Sequence, residues 1–175
     1  IISLINIIFK SHMKDIIITN KILNWYDNNK RSLPWRKKVS LKKKQYYTLV
    51  SEFMLQQTQV ATVIPYFNRF IKCIPDIETL ANYDNRKLIK LWEGLGYYSR
   101  IRNLKKTAQV IINDFNKKIP SNYLELKSLP GIGDYTATAI SAIAFNKPLI
   151  PLDGNVERVL KRYLYLKKEK QIQKE

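Results

Sequence analysis

The sequence predicts an all-α protein with a strongly basic surface. Apolar residues recur every three or four positions along most of the chain, and no stretch shows the strict alternation that is typical of a strand. Lysine and arginine number 31 against 14 aspartate and glutamate, which gives a net charge of +17. An excess of this size predicts a polyanionic partner, with nucleic acid first and an anionic membrane surface as the alternative.

Length and composition limit the class of protein further. The 175 residues suffice for one domain or two small lobes, and a hydrophobic content of 45% excludes wholesale disorder. The single cysteine, Cys73, excludes an internal disulfide framework and is typical of a protein in the reducing cytoplasm. Its apolar neighbours predict that Cys73 is buried.

The first residues differ from the rest of the chain. Residues 1–9 are largely apolar, but this run is much shorter than the roughly 20 residues that span a bilayer. It also has neither the basic start nor the small-residue cleavage site of a secretory signal. We expect residues 1–12 to be a non-native or disordered extension, with Met13 as the initiator, and we expect no association with a membrane.

Helical spacing predicts three helices before residue 75. The first, over 15–29, has an apolar face made of Ile18, Ile22, Trp25 and Tyr26. A basic loop over 31–44 follows and contains Pro34. The second helix ends near Gln57 and has a buried face made of Tyr46, Leu49, Val50, Phe53 and Met54. The third has apolar positions from Val60 to Ile74 and is kinked at Pro65.

Five more helices are predicted after residue 75. A short helix over 85–92 stops at the glycines within residues 94–96, and a long helix runs over 101–115. A helix over 122–128 leads through a hairpin, residues 129–133, into an alanine-rich helix that ends at Phe145. The last helix covers 155–165. The charged tail after it has no apolar face, and we expect it to fray.

The hairpin is the most informative feature of the sequence. Gly131 and Gly133 allow the backbone to approach a ligand closely, and the helix that begins here directs unpaired N–H groups and the positive end of its dipole outward. In so basic a chain this arrangement predicts a phosphate site. Asp153 comes just before the last helix, a position typical of an N-cap, and it adds a carboxylate beside the phosphate site.

Four motifs, in this order, resemble those of one family. They are SEFMLQQTQV at 51–60, WEGLGYY at 92–98, LPGIGDYT at 129–136 and LDGNV at 152–156. Over about residues 22–163 the chain resembles the adenine DNA glycosylases of the MutY type, in the helix-hairpin-helix superfamily that includes endonuclease III. The resemblance implies a base-excision repair enzyme for double-stranded DNA. Such an enzyme is a monofunctional hydrolase that cleaves the N-glycosidic bond of adenine mispaired with 8-oxoguanine or guanine.

The resemblance also implies a two-lobed fold. A six-helix barrel lobe over 42–146 would contain the helix-hairpin-helix at 122–145, and residues 13–41 and 147–175 would form an incomplete second lobe. In the family that lobe carries four cysteines that bind a 4Fe-4S cluster, and a separate domain that recognises 8-oxoguanine follows it. This chain has one cysteine, so we expect no metal in it. We expect a C-terminally truncated monomer of modest stability and weak lesion discrimination, with poorly covered apolar faces on its first and last helices.

Cleaving the bond to adenine requires an acid for the base and an anion for the charge that develops on the sugar. By resemblance Glu52 is the acid, which should be partly buried with a raised pKa, whereas position alone would make it an exposed helix residue. Asp153 stabilises the sugar, either electrostatically or through a transient covalent adduct. Tyr135 stands where endonuclease III has a lysine nucleophile, and a phenol cannot form an imine. The alternative for Tyr135 is simple packing.

The resemblance assigns further side chains to DNA. Adenine must leave the stack, so another side chain must fill the gap, and Gln57 and Tyr97 match the family's wedge positions. Further expected DNA contacts are Thr58 and Arg31. The expected lining of the adenine pocket is Trp35, Arg36 and Leu55, and the alternative for Trp35 and Leu55 is packing in the core.

Two other functions stay open at this point. A helix-hairpin-helix glycosylase with another base specificity would be recognised by base release from a panel of mismatches. A truncated, non-catalytic DNA-binding remnant would bind duplex in a salt-sensitive manner and release no base. In each case we expect the protein in the cytoplasm, associated with the nucleoid of a bacterium.

Overall fold

The computed structural model describes residues 12–164. Within this range the secondary structure is helical and contains no strand, so the predicted all-α class is confirmed. The α-helices are α1 (His12–Asn29), α2 (Leu41–Leu55), α3 (Val60–Cys73), α4 (Ile77–Asn82), α5 (Asn85–Trp92), α6 (Ser99–Asp114), α7 (Tyr123–Ser128), α8 (Asp134–Phe145) and α9 (Gly154–Tyr163). The expected extension falls almost wholly outside the described residues, and the fraying tail does so completely.

Two units make up the described chain. The residues before Leu33, which include α1, belong to one unit, and Leu33–Leu164 form the other. The second unit is wider at both ends than the predicted barrel lobe over 42–146, and the division into two lobes stays a prediction. The apolar face predicted for α1 is largely exposed, with Trp25 at 64%. At the other end of the chain, α9 contains no buried residue.

Helix α2 is the centre of the second unit and packs against α3, α6 and α8. All five residues of its predicted apolar face, from Tyr46 to Met54, are buried. The helix begins at Leu41, because Ser40 caps it by accepting a hydrogen bond from the Lys43 amide at 3.5 Å. The predicted basic loop is therefore too long: the lysines 42–44 lie in α2, and Pro34–Arg36 form a turn of 3-10 helix.

Cys73 is exposed, so the prediction that it is buried is wrong. Helix α3 continues through Pro65 and buries Val63, Phe67 and Phe70, while Ile74 is buried just beyond its end. At 100° per residue, Cys73 lies roughly 100° around the helix from the middle of this stripe. Apolar neighbours in sequence therefore did not place it on the core face.

Helix α4 was not predicted from the sequence. It has six residues, and Asp76 caps it by accepting a hydrogen bond from the Thr79 amide at 2.8 Å. Its buried residues, Ile77, Leu80 and Ala81, pack into the same core as the other helices. A helix of less than two turns has too few apolar positions to show a period. The predicted helix over 85–92 is confirmed as α5.

Helices α2 and α8 run antiparallel, and side chains join them at both ends. At the start of α2, Lys44 Nζ donates to Asn146 Oδ1 at the end of α8, at 3.3 Å. Beyond the other end of α2, Gln56 Nε2 donates to Gly131 O at 3.3 Å and to Thr136 Oγ1 at 3.4 Å. The C-terminus of α2 therefore meets the hairpin and the N-terminus of α8, and the candidate site lies at this meeting point.

Candidate active site

Glu52 lies in the last turn of α2, beside the buried face of that helix, and is partly buried. Burial raises the pKa of its carboxyl to about 7, and the nearby positive charge of Arg36 acts in the opposite direction. A carboxyl with this pKa is protonated in a large fraction of molecules at neutral pH. The predicted partial burial and raised pKa are therefore confirmed, and Glu52 is able to donate a proton.

Tyr135 and Asp153 lie within electrostatic reach of one another. Tyr135 is the second residue of α8 and is 44% exposed. Its pKa is raised, first by burial and then by the negative charges of Glu52 and Asp153. Tyr135 is thus within electrostatic reach of two carboxyl groups from distant parts of the sequence, the protonatable Glu52 and Asp153.

The carboxylate of Asp153 is held by the helix that it precedes. Its Oδ1 accepts hydrogen bonds from the amides of Asn155 at 2.9 Å and Val156 at 2.7 Å, so the expected N-cap is confirmed. Both bonds go to one oxygen atom. The cap fixes the orientation of the carboxylate and is compatible with a second role toward a ligand.

The three residues predicted for the adenine pocket differ in their positions. Trp35 is buried in the core, where its ring contacts that of Phe67 edge-on at 5.3 Å between centroids. Leu55 is partly buried and packs against the same core. Arg36 is exposed, and its charge acts on Glu52. Arg36 is thus the one of the three with a direct electrostatic link to the candidate acid.

The two glycines of the hairpin have different reasons to be glycine. Gly131 has a φ of +78°, and a Cβ there would lie 2.7 Å from Asn103 Cβ, so the fold itself requires glycine. Gly133 has a φ of −92°, and a Cβ there would have nothing within 4 Å. The fold does not require glycine at 133, and the space beside it is open to a ligand.

Side chains from other helices hold the hairpin. Thr107 Oγ1 on α6 donates to Pro130 O at 2.8 Å. Asp134, the first residue of α8, accepts a short hydrogen bond from the Tyr123 hydroxyl and pairs with Lys127 Nζ at 2.6 Å. These contacts fix the start of α8, where the positive end of the helix dipole lies.

Two loops, which we call the probe loops, present the predicted wedge residues. They comprise residues 56–59, after α2, and residues 93–98, before α6. Gln57 has a φ of +56° and Tyr97 a φ of +49°, a left-handed conformation that is uncommon outside glycine. Both side chains are exposed, Tyr97 at 61%. Thr58 in the first probe loop is partly buried, and its Oγ1 donates to Gln56 O at 3.4 Å.

Sequence reasoning missed two residues that organise this region. Gln56 joins α2 to the hairpin, as described above. Arg100 is 6% exposed and donates hydrogen bonds to both probe loops. In a chain with 31 lysines and arginines, no pattern in the sequence distinguishes a buried arginine from those that face solvent. Arg31, which was predicted to contact DNA, is exposed and belongs to the unit before Leu33.

The residues of this chain do not fit a 4Fe-4S cluster. Such a cluster is held by four thiolates, and the chain has one cysteine. Within residues 12–164, no three side chains of histidine, cysteine, aspartate or glutamate come together as a metal site. Over the same range, no helix is sufficiently long and apolar to cross a membrane.

Curated relatives resemble the chain over most of its length. An adenine DNA glycosylase of Buchnera aphidicola subsp. Baizongia pistaciae is 47% identical over 152 residues, which are 86% of this chain and 42% of that protein. An adenine DNA glycosylase of Rattus norvegicus is 46% identical over 146 residues, which are 81% of this chain and 28% of that protein. The chain thus spans less than half the length of either relative.

A solved structure and a family profile agree with this likeness. The structure of a thermostable thymine-DNA glycosylase superposes with a TM-score of 0.76 at 27% identity, and the match covers 86% of this chain and 68% of that one. The profile of the HhH-GPD superfamily base excision DNA repair proteins matches residues 50–175. That range includes Glu52, Tyr135, Asp153 and the hairpin. The chain is therefore a member of the HhH-GPD superfamily of base excision DNA repair proteins.

Proposed function

We propose that this chain is a monofunctional adenine DNA glycosylase domain. It hydrolyses the bond between adenine and deoxyribose in double-stranded DNA where adenine is mispaired with 8-oxoguanine or guanine. The proposal rests on the pKa of Glu52, raised to about 7, and on the position of Tyr135, whose phenol is influenced by the charges of both Glu52 and Asp153. The names of its curated relatives support adenine as the base that is removed.

The reaction begins with the acid. Glu52 donates its proton to adenine while the glycosidic bond breaks, and the electron pair of that bond leaves with the base. With this proton adenine leaves as a neutral molecule, whereas without it adenine would leave as an anion. The proton therefore lowers the barrier. The positive charge that develops on deoxyribose is stabilised by the carboxylate of Asp153, which its two amide hydrogen bonds hold in place.

Water completes the hydrolysis. Its oxygen bonds to the sugar carbon that the base has left, one hydrogen stays in the new hydroxyl group, and the other goes as a proton to the Glu52 carboxylate. The acid of the first step thus becomes the base of the second. Tyr135 has no amine with which to form an imine, which is why we propose base removal without strand cleavage through this residue. Its phenol lies near both carboxylates and faces the reacting sugar.

The remaining predicted residues bind the DNA. The amides of Gly131 and Gly133, and the start of α8, bind a backbone phosphate, while Gln57 and Tyr97 fill the gap that the extruded adenine leaves. Thr58 and Arg31 add polar contacts, and Arg36 lies beside the pocket with Trp35 and Leu55 behind it. We further propose that the protein acts as a monomer in the cytoplasm, on nucleoid DNA.

The test is single-turnover release of adenine from a duplex with one adenine opposite 8-oxoguanine. We expect Glu52→Gln to lower the rate by about a hundredfold or more, because glutamine cannot donate a proton. Glu78→Gln is the matched control, since Glu78 pairs with Lys42 at the opposite end of α2. Retained release in Glu52→Gln would contradict the assignment of the acid.

The pH dependence of the same rate gives a second test. Because the pKa of Glu52 is raised to about 7, the protonated form is lost as pH rises through that value. We expect the rate to fall above pH 7 and to approach a tenfold loss per pH unit above about pH 8. A rate that stays constant from pH 6 to 9 would exclude Glu52 as the acid. Duplex binding without any base release would identify a DNA-binding domain without glycosylase activity.

A further inference from the structure

We propose that Arg100 is a positioning residue that holds the two probe loops in one arrangement, and that extrusion of the base depends on the two-armed shape of its guanidinium. The part that concerns base extrusion rests on the proposed function. The part that concerns the loops does not, because it describes the protein without DNA. Arg100 itself is buried and is not expected to touch the substrate.

Each arm of the guanidinium serves one probe loop. The two hydrogens of Nη1 are shared among Met54 O at 2.8 Å, Gln56 O at 2.6 Å and Thr58 Oγ1 at 3.0 Å. These acceptors lie at the end of α2 and in the first probe loop. Nη2 donates to Leu95 O at 3.0 Å and to Gly96 O at 3.1 Å, in the second loop. One side chain thus joins residues that flank Gln57 to residues that precede Tyr97.

Aromatic rings complete the surroundings of Arg100. Its guanidinium carbon lies 5.5 Å from the centre of the Trp92 ring and 5.3 Å from that of Tyr97. The guanidinium that anchors the second probe loop therefore also contacts the ring of Tyr97, the predicted wedge, in the free protein. In turn, Trp92 Nε1 donates to Gly96 O at 3.0 Å, so this carbonyl is held from two sides.

Arg100 forms no ion pair within the described part of the chain. Burial lowers its pKa, which shows that the charged form is disfavoured there. A buried cation without a carboxylate costs stability unless its hydrogen bonds are well satisfied. Oxygen atoms of the two probe loops accept hydrogen bonds from Nη1 and Nη2, whereas the buried Nε has no hydrogen-bond partner among the described residues. This incomplete satisfaction favours the view that the contacts of Arg100 serve the loop geometry that they impose.

Lysine cannot replace arginine in this role. The guanidinium is planar and presents its donors in two directions, whereas an ammonium is a single point with three donors. A lysine at position 100 keeps the charge and reaches one loop but does not join both. The left-handed conformations of Gln57 and Tyr97 persist only while the surroundings hold them, so loss of the second arm releases at least one of them.

Hydrogen–deuterium exchange of the free protein tests the loop-positioning part. We expect Arg100→Lys to speed amide exchange in residues 56–59 and 93–98 by about tenfold, with little change elsewhere. The control is Lys105→Met on the same helix, which removes bonds of Lys105 Nζ to Tyr83 O and Asn85 Oδ1, both at 2.6 Å. Unchanged exchange in both probe loops of Arg100→Lys would overturn the proposal.

A second variant covers the case in which Arg100→Lys does not fold. Thr58→Val removes one partner of Nη1 and leaves Arg100 intact. If the guanidinium couples the loops, exchange rises in residues 93–98 as well as next to position 58. An effect confined to residues 56–59 would count against coupling.

Base extrusion is measured with 2-aminopurine placed opposite 8-oxoguanine, because its fluorescence rises when it leaves the stack. In the Glu52→Gln background, which prevents cleavage, we expect added Arg100→Lys to abolish most of this rise while duplex affinity stays within about threefold. Added Lys105→Met should leave the rise intact. If Arg100→Lys keeps the full rise, the extrusion part is wrong. If Glu52→Gln alone gives no rise and the unchanged chain releases no adenine, the proposed function fails and the extrusion part with it, while the exchange data still decide the loop-positioning part.

Discussion

Glu52 illustrates how one residue links stability to chemistry. The pKa of its carboxyl is about 7 in the folded protein against an ordinary value of 4.5, so the folded state binds the proton more tightly than the unfolded state. The folded state is therefore favoured at pH values below 4.5, and that advantage is lost as pH rises to 7. Glutamine resembles the neutral acid and avoids this loss.

We predict that Glu52→Gln becomes more stable relative to the unchanged protein as pH rises. Between about pH 5 and pH 8 the difference in the free energy of unfolding should grow by roughly 2 to 3 kcal/mol in favour of the variant. Urea unfolding at the two pH values measures it, with Glu78→Gln as the control. A difference that stays constant with pH would show that the folded-state pKa of Glu52 is not raised.

Asp153 allows its capping role to be separated from its charge. Asp153→Asn keeps an oxygen that accepts the amide bonds of Asn155 and Val156, whereas Asp153→Ala loses both bonds. We predict that alanine costs about 1 kcal/mol of stability and asparagine much less. Both should abolish adenine release if the negative charge is what stabilises the sugar. If Asp153→Asn still releases adenine, Asp153 acts only as a helix cap and its charge is not needed for the reaction.

For single residues, the sequence predicted which helix a residue lies on better than it predicted which groups surround the side chain. The apolar spacing of α2 placed Glu52 beside the buried face, but position alone favoured an exposed side chain, and only the family resemblance predicted its partial burial. For Cys73, apolar neighbours were a poor guide, because orientation around a helix decides burial. Arg100 could not have been singled out, because most of its acceptors are backbone carbonyls of two loops, and every residue has such a carbonyl whatever its side chain.

The hairpin makes predictions at the scale of a structural element. Gly131→Ala should destabilise the protein strongly, because it combines a φ of +78° with a Cβ 2.7 Å from Asn103 Cβ. Gly133→Ala should leave stability within about 1 kcal/mol, because its backbone conformation is ordinary and its surroundings are open. The same variant should weaken duplex binding if a phosphate approaches the start of α8.

Thermal melting and a duplex titration of both variants measure these effects. Gly133→Ala with normal stability and unchanged affinity would exclude a close phosphate at the hairpin. A stable Gly131→Ala would mean that the hairpin can move away from Asn103 on α6 without loss of stability. The pair thus separates the glycine that the fold needs from the glycine that the ligand needs.

Helices with several turns were predicted well, and so was the six-residue helix α7, which the hairpin after it marks, whereas the six-residue helix α4 was missed. Helix α4 has six residues and depends on its Asp76 cap and on burial against α6. The start of α2 was misplaced because lysines 42–44 suggested a solvated loop, whereas the Ser40 cap and good helix formers extend the helix through them. A helix cap that the sequence analysis did not weigh was decisive in both places.

For the whole molecule, the net charge of +17 predicts strongly salt-dependent binding. We expect duplex affinity to fall about a hundredfold or more between 50 and 200 mM salt, with a linear dependence of log K on log salt. Duplexes with and without an 8-oxoguanine pair should share the same slope, because phosphates supply this part of the energy. Fluorescence anisotropy with labelled duplexes measures the affinity at each salt concentration. An affinity that does not change with salt would exclude a polyanion as the partner.

The class of the fold was predictable because helical periodicity persists along the chain and the hairpin is marked by its glycines. The site depended on contacts between distant segments, namely Glu52 on α2, Tyr135 on α8 and Asp153 before α9. The periodicity of the sequence could not predict that these three residues share a site. Only the resemblance of the four motifs to one family predicted it. The lobe boundaries depend on residues outside the described range and stay a prediction.

The exposed position of Cys73 makes the protein a natural candidate for single-site labelling. Its thiol is the only one in the sequence and is accessible at the C-terminus of α3, so a fluorophore can be attached without any substitution. Helix α3 has 14 residues, which puts the dye about 20 Å along the helix from its start at Val60, next to the first probe loop. This separation suits energy transfer to an acceptor on the duplex, so docking and release can be followed in real time on the unaltered sequence.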